Sequence, residues 1–217
     1  MSTTAPLPFP LPTLLAGTRA EAPGRPEAAL SDDTLMARVA HGDRDAFTLL
    51  YRRYERPVFG VLLRLAGQRA LAEEWLQEAF TRVWLAAATH DPARGAVRPW
   101  IYTIAVNTAR TEMSRKRHRT PHVSLEAAAL DLEDRTGGEA RLAARLDGQR
   151  RALALAEALG ELPDYMREVV VLRCTRELSF AEIAAVTGAP QGTLKSRFHR
   201  AVAALRERID GREGAGR

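Results

Sequence analysis

The chain has 217 residues, of which 46% are hydrophobic and 27% charged, and its formal net charge is +5. This length suits one domain or two small ones, and no stretch approaches the roughly 18 consecutive apolar residues of a membrane-spanning helix. The first 20 residues lack a basic start and are interrupted by prolines, so no export signal is expected. A single cysteine, Cys174, excludes an intramolecular disulfide, and we expect a soluble protein of the cytoplasm.

The N-terminal half shows helical patterns after a tail. Residues 1–30 are rich in Pro and Ala with little apolar periodicity, which predicts disorder. Residues 31–119 predict an all-α domain of five helices, because apolar residues recur at helical spacing and no strand pattern is convincing. The predicted helices cover Ser31 to Gly42, Asp43 to about Tyr54, a third starting near Pro57, Leu71 to Ala88 and Val97 to Arg117.

The C-terminal half begins after an acidic segment. Residues 120–139 contain Glu126, Asp131, Glu133 and Asp134 against the single Arg135, which predicts a flexible acidic linker. Residues 140–210 predict a second small helical domain, and residues 211–217 a second disordered tail. The predicted helices of this domain cover Ala140 to Leu159, Asp164 to Thr175, Ser179 to Val186 and Pro190 to Ile209.

Two helices of the second domain have the spacing of a helix-turn-helix. Ser179 and Glu182 form a capping-box pattern that starts a short helix. Thr187 and Gly188 predict a tight turn, and Pro190 then suits the first turn of another helix. This pattern favours DNA binding, although an ordinary αα-hairpin has the same spacing.

The helix after this turn has two contrasting faces. Leu194, Phe198, Ala201 and Leu205 fall on one narrow stripe, which predicts its buried side. The opposite side carries donors that suit base edges and phosphates; these are Lys195, Ser196, His199 and Arg200. An ordinary solvated basic face is the alternative.

A polar stripe also follows the helix from Val97 to Arg117. Its hydroxyls, amide and guanidinium suit contacts to bases and phosphates, and a basic run follows it. Trp100 stands at its head, where an indole ring can stack on an unpaired base. The alternative is a core tryptophan beside a merely solvated stripe. The stripe consists of Thr103, Asn107, Arg110, Thr111 and Ser114, opposite Tyr102, Ala105, Val106, Ala109 and Met113.

The preceding helix carries a mostly acidic surface, which would repel DNA. It is either solvated or a docking surface for a protein partner. Its members are Glu74, Gln77, Glu78, Thr81 and Arg82, opposite the predicted buried residues Leu76, Ala79, Phe80 and Val83.

Taken together, three segments resemble an extracytoplasmic-function (ECF) sigma factor of bacterial RNA polymerase. They are AEEWLQEAFTRVWLA from Ala72, RPWIYTIAVNTARTEMSRKRHR from Arg98 and ELPDYMREVVVLRCTRELSFAEIAAVTGAPQGTLKSRFHRAVAALRERI from Glu161. The resemblance covers about residues 32–119 and 150–209. It implies a dissociable subunit of core RNA polymerase that selects promoter DNA, and a family commonly held inactive by an anti-sigma factor.

The resemblance also implies roles for residues. The first domain would dock on polymerase, read the −10 element and capture a flipped base in the loop His90 to Pro99, while the second domain would read the −35 element. Val106 stands where the family usually has a basic residue, and His199 is uncommon at its position. The implied docking residues are Glu74, Gln77, Glu78 and Thr81. The implied −10 residues are Arg98, Trp100, Thr103, Asn107, Arg110, Thr111, Ser114 and Arg115. The implied −35 residues are Thr193, Lys195, Ser196, Arg197, His199 and Arg200.

The alternative function is a stand-alone helix-turn-helix regulator, but such a protein has no need of a docking face beside a melting helix. An enzyme is not expected, because no P-loop, zinc motif or nucleophile elbow occurs. No metal or other cofactor is expected either, since Pro121 breaks the helix that would align His118 with His122. Cys174 is predicted to be a small core residue.

Overall fold

The computed structural model describes residues 30–116, 152–176 and 178–215, and within these residues the chain is helical without strands. This confirms the predicted all-α class. The N-terminal helices are α1 (Asp32–Ala40), α2 (Arg44–Ala66), α3 (Arg69–Ala86), a 3-10 turn (Ala87–Thr89) and α4 (Val97–Lys116). The C-terminal helices are α5 (residues 152–160), α6 (Asp164–Arg176), α7 (Phe180–Thr187) and α8 (Gln191–Ala215).

Several predictions concern segments outside the described residues. They include almost all of the N-terminal tail, the acidic linker, the start of the helix predicted from Ala140, and the histidine pair. Leu30, which the sequence analysis assigned to the tail, is described: it is half-buried, it packs against the core, and its carbonyl accepts a hydrogen bond of 3.0 Å from Arg53. The folded domain therefore begins at least one residue earlier than predicted.

Capping residues fix the start of the first two helices. The Ser31 hydroxyl accepts a hydrogen bond from the Thr34 amide at 3.1 Å, as the sequence predicted. The Asp43 carboxylate caps α2 by accepting from the amides of Asp45 and Ala46, both at 3.0 Å. These backbone hydrogen bonds and the neighbouring Arg38 guanidinium lower the pKa of Asp43.

The prediction of separate helices on either side of Pro57 is wrong. Helix α2 runs without interruption from Arg44 to Ala66, with Pro57 in its interior. A proline there costs about 3 kcal/mol of helix stability, but both halves of this helix bury apolar side chains on the same core. Tyr54, Val58 and Phe59 are at most 6% exposed, so tertiary packing overrides the local preference.

Aromatic side chains fill the centre of the N-terminal domain. The Phe80 ring, which is fully buried, meets the Tyr51 ring edge-on at 4.7 Å between centroids and the Phe47 ring at 6.4 Å. The Trp84 ring in turn meets Phe47 edge-on at 5.2 Å. Through these contacts α3 packs against α2 in one continuous apolar layer.

A buried carboxylate lies beside this layer. Glu55 is only 3% exposed, and burial raises its pKa above the ordinary value of 4.5, although Arg56 and a hydrogen bond from Tyr51 oppose this. A carboxyl group whose pKa is raised on folding contributes stability at low pH that is lost as the pH rises through 4.5 toward its folded pKa.

We therefore expect Glu55→Gln to gain stability relative to the parent as the pH increases from about 4 to 7. Chemical denaturation of both proteins across this range measures the difference in unfolding free energy. A difference in unfolding free energy between Glu55→Gln and the parent that stays flat with pH would contradict the burial argument.

The second domain forms around α6 and α8. Ala158, Leu162, Val170, Ala201 and Leu205 make a small apolar cluster. The Arg167 guanidinium donates to the carbonyls of Leu159, Gly160 and Leu162 at 2.7–2.9 Å, which satisfies the backbone at the end of α5.

Two predictions for this domain are wrong. Helix α8 continues to Ala215 instead of ending at Ile209, so part of the predicted C-terminal tail is helical. A glycine such as Gly211 costs a helix only about 1 kcal/mol, which is too little to guarantee its end there. Cys174 is exposed and is not a core residue, because the continuously buried segment of α6 ends at Leu172.

The two helical domains pack against each other. Helix α7 contacts α4, and α6 contacts α2. The main apolar core continues across this boundary, since Val169, Leu172 and Ile183 belong to the same buried cluster as Ile101 and Val106. In this conformation the domains form one body.

Candidate DNA and polymerase interface

The helix-turn-helix has the local geometry that the sequence predicts. The Ser179 hydroxyl accepts from the Glu182 amide at 3.1 Å, and the Glu182 carboxylate accepts from the Ser179 amide at 2.8 Å, which completes a capping box. Gly188 then adopts φ 73°, the left-handed conformation that favours glycine, and ends α7. Helix α8 begins three residues later, at Gln191, one residue after the predicted Pro190.

Helix α8 buries its predicted apolar stripe. Leu194 and Ala201 are fully buried, Leu205 is 7% exposed, and the half-buried Phe198 ring lies edge-on to Phe180 at 5.8 Å. The opposite face is open: Lys195, Ser196, His199 and Arg200 are all exposed. The structure thus brings the four predicted contact residues together on one face of the helix.

Two further residues predicted for the −35 element lie differently. Thr193 and Arg197 are half-buried, and the Arg197 guanidinium stacks over the Tyr165 ring of α6 at 5.1 Å. This contact holds Arg197 at the side of the exposed face, next to α6.

Helix α4 also separates its two faces as predicted. Tyr102, Ala105, Val106 and Ala109 are at most 1% exposed, whereas Met113 is half-buried. Among the residues predicted to read the −10 element, Asn107, Thr111, Ser114 and Arg115 are exposed, and Arg98, Thr103 and Arg110 are half-buried.

Several groups of this stripe are already hydrogen-bonded within the chain. The Thr103 hydroxyl donates to the Pro99 carbonyl at 2.8 Å, and the Thr111 hydroxyl donates to the Asn107 carbonyl at 2.9 Å. Arg115 pairs with Glu112 at 2.6 Å on the helix surface. The Arg115 side chain is 56% exposed and that of Glu112 only 17%.

Trp100 is half-buried and packs against the core, and its ring meets the His90 ring edge-on at 5.4 Å. The indole therefore contributes to the core, as one alternative from the sequence holds, and retains an accessible portion at the head of the stripe. The loop between them is ordered by the Asp91 carboxylate, which accepts from the Ala93 amide at 2.9 Å.

The acidic surface of α3 is smaller than predicted. Glu74 and Gln77 are exposed, while Glu78 is half-buried and pairs with Arg82 at 2.7 Å. The inclusion of Thr81 in an exposed docking surface is wrong, because Thr81 is buried and its hydroxyl donates to the Gln77 carbonyl at 2.8 Å.

Sequence reasoning missed two residues near these surfaces. Leu85, at the end of α3, is 58% exposed although it is large and apolar; its position two turns after Glu78 was the available signal. Glu168 of α6 forms a two-point ion pair with Arg110, at 2.6 Å and 3.0 Å. No local pattern reveals a partner 58 positions away in the sequence.

In the part of the chain that the structure describes, no three His, Cys, Asp or Glu side chains are grouped in a way that would hold a metal ion. No helix among the described residues has the length and apolar character needed to cross a bilayer.

Each of the two helical domains matches a known family: residues 50–119 match the family described as Sigma-70 region 2, and residues 152–205, which contain the helix-turn-helix, match Sigma-70, region 4. The ECF RNA polymerase sigma-E factor of Escherichia coli K12 is 34% identical, over 83% of this chain and 93% of that protein. The RNA polymerase sigma-H factor of Pseudomonas aeruginosa is 31% identical, over 82% and 92%.

Solved structures show the same architecture. CnrH, solved in complex with the cytosolic domain of CnrY, is 27% identical with a TM-score of 0.62, over 83% of this chain and 97% of that chain. The sigma factor RpoE of Bartonella quintana, co-crystallised with the anti-sigma factor NepR, has a TM-score of 0.60 at 20% identity, over 76% and 96%, and supports the fold.

The chain belongs to the extracytoplasmic-function sigma factors of bacterial RNA polymerase. It is an alternative sigma factor that directs core RNA polymerase to promoter DNA, and a stand-alone regulator is not favoured.

Proposed function

We propose that each of the three exposed surfaces has a separate task in this sigma factor. The polar stripe of α4, headed by Trp100, reads the −10 element and holds the melted strand. The exposed face of α8 reads the −35 element, and Glu74 and Gln77 of α3, with Glu78, dock on core polymerase. The observation that carries this assignment is the segregation of polar from buried faces on α4 and α8, each in its own domain.

Promoter melting requires the α4 surface to bind single-stranded DNA more tightly than duplex DNA. Separating base pairs costs on the order of 1.4 kcal/mol per step, and extruding one base costs a few kcal/mol more. Stacking of a base on an aromatic ring contributes about 1–3 kcal/mol to binding. The accessible part of Trp100 offers such a ring. Each domain alone is then a weak binder, and joining both on polymerase raises the effective concentration of the second contact.

We also propose that an anti-sigma factor regulates this chain in the cytoplasm, where core polymerase is found. The relative RpoE was solved with one.

Run-off transcription with purified core polymerase tests the proposed division of tasks. We expect promoter-specific transcripts only when both polymerase and this chain are present, and weak duplex binding by the free chain because each surface offers few base contacts. Tight promoter-specific footprints made by the free chain would contradict this proposal.

Charge reversal at Glu74 tests the docking surface. Glu74→Lys should weaken assembly with core polymerase while the thermal midpoint barely changes, because the side chain is exposed. Titration of fluorescently labelled protein with core polymerase measures the affinity. Glu207→Lys, an exposed change of the same charge on α8, is the control, and equal affinities for the two variants would exclude Glu74 from docking.

A further inference from the structure

A tyrosine ring lies exposed beside the face of α8 that is proposed to read DNA. Tyr165, in the first turn of α6, is 47% exposed. Among the described residues, neither of the two apolar clusters includes it. The Arg197 guanidinium of α8 instead lies over the ring, 5.1 Å from its centroid. The ring of Tyr165 therefore belongs to the surface of the second domain and not to its core.

The Arg197 guanidinium is held through its face and keeps its N–H groups available. Within the part of the chain that the structure describes, no carboxylate pairs with it and no carbonyl accepts a hydrogen bond from it. Arg167, Arg173 and Arg208 of the same domain all donate to acceptors inside the chain. Because a guanidinium stacks through its planar face and donates from its edge, the contact with Tyr165 leaves Arg197 able to bind an acceptor.

The position of Arg197 on α8 determines which acceptor it can reach. At 3.6 residues per turn, Arg197 lies about 60° around the helix axis from Arg200, at the edge of the exposed face. A helix with its side chains is about 10–12 Å wide, and the major groove of B-form DNA is about 12 Å wide. An inserted helix fills this groove, so side chains on its leading face meet base edges, whereas a side chain at its flank meets the phosphates that border the groove.

We propose that Tyr165 is a positioning residue for promoter binding: its ring holds the Arg197 guanidinium at the flank of α8, where that guanidinium contacts a phosphate beside the −35 element. The proposal rests on the role of α8 proposed above. Holding a long, flexible side chain in place before DNA arrives reduces the conformational entropy that is lost on binding. Phosphate contacts fix the register and orientation of a protein on the duplex. The pair of Tyr165 and Arg197 thus orients the exposed face of α8 toward its base pairs.

Arg197→Ala tests the phosphate contact. Holoenzyme is titrated with a duplex promoter fragment that supports run-off transcription with this chain, at about 0.05–0.3 M potassium chloride. The substitution should weaken binding about 8-fold at about 0.1 M salt and reduce the slope of log affinity against log salt by about 1, because one phosphate contact is lost. All −35 sequence variants should lose affinity equally. Arg206→Ala, which removes an exposed charge farther along α8, is the control and should leave the slope unchanged.

A double-mutant cycle in the same assay tests the positioning role of Tyr165. Tyr165→Ala changes no charge and should weaken binding about 2- to 5-fold, the size of an exposed cation–π contact. In the Arg197→Ala background the same substitution should have no further effect, because the ring acts through the guanidinium. Tyr165→Phe keeps the ring and should retain the parental affinity. The thermal midpoint should barely change in any of these variants, since the Tyr165 ring is exposed.

Three results would overturn the proposal. Equal losses from Tyr165→Ala in both backgrounds would mean that the ring only stabilises the domain. Tighter binding by Tyr165→Ala would mean that the stack holds Arg197 away from DNA. A loss for Arg197→Ala that is confined to one base pair, at an unchanged salt slope, would replace the phosphate contact by a base contact. Arg200→Ala separates these failures from a failure of the α8 assignment, because only in the latter case would Arg200→Ala bind every promoter variant as the parent does.

Discussion

Phe80→Ala is expected to lower the free energy of unfolding by about 3–5 kcal/mol, the largest effect of a single substitution proposed for this sigma factor. The Phe80 ring is fully buried and makes edge-on contacts with Tyr51 and Phe47, so truncation leaves a cavity and removes aromatic contacts on α2. Urea denaturation followed by circular dichroism measures the loss.

The matched control is Leu85→Ala on the same helix, where the side chain is 58% exposed and little stability should be lost. If Phe80→Ala cost no more than this control, the aromatic layer would not be the centre of the domain. A decrease in unfolding free energy near the expected size would establish that the Phe80 face of α3 is buried. Glu74 and Gln77 then lie on the opposite face.

Arg200→Ala is expected to cost about 1–3 kcal/mol of promoter discrimination and to relax the preference at one base pair of the −35 element, provided the guanidinium contacts a base edge. A phosphate contact would instead weaken binding to all sequences alike and reduce the slope of log affinity against log salt by about 1. Holoenzyme binding to a set of −35 variants at several salt concentrations separates the two cases. Arg206→Ala, which removes a charge that is also exposed and lies 240° around α8, is the control.

Phe198→Ala should behave in the opposite way. Its ring packs between the two apolar clusters and against Phe180, so we expect a stability loss of about 3 kcal/mol with unchanged base preference. If Phe198→Ala altered base preference while Arg200→Ala unfolded the domain, the contact face of α8 would be rotated from the one proposed.

Features set by neighbours in the chain could be predicted from the sequence. The capping box at Ser179, the glycine turn at Gly188 and the apolar stripe from Leu194 depend on residues within about three turns of each other, and the structure has all three. The end of α8 was missed because a glycine penalty is small beside the packing of a whole helix. Pro57 was misread for a similar reason, since buried neighbours on both sides keep α2 intact.

Features set by distant contacts could not be predicted. The Arg110–Glu168 pair joins residues 58 positions apart, and neither sequence surroundings nor periodicity distinguishes Glu168 from other carboxylates. Thr81 falls near the polar side of α3 by angle, yet its small side chain is covered by neighbours and bonds to its own helix. The predicted division of each helix into a buried and an exposed face was therefore right on the solvent-exposed side. It was less accurate at the boundary between the two faces.

The apolar core that continues from α2 and α4 into α6 and α7 has a consequence for turnover in the cell. A core shared by both domains makes the free chain unfold as one cooperative unit. Substitutions that strengthen this shared core would protect free sigma factor from proteases and prolong its lifetime.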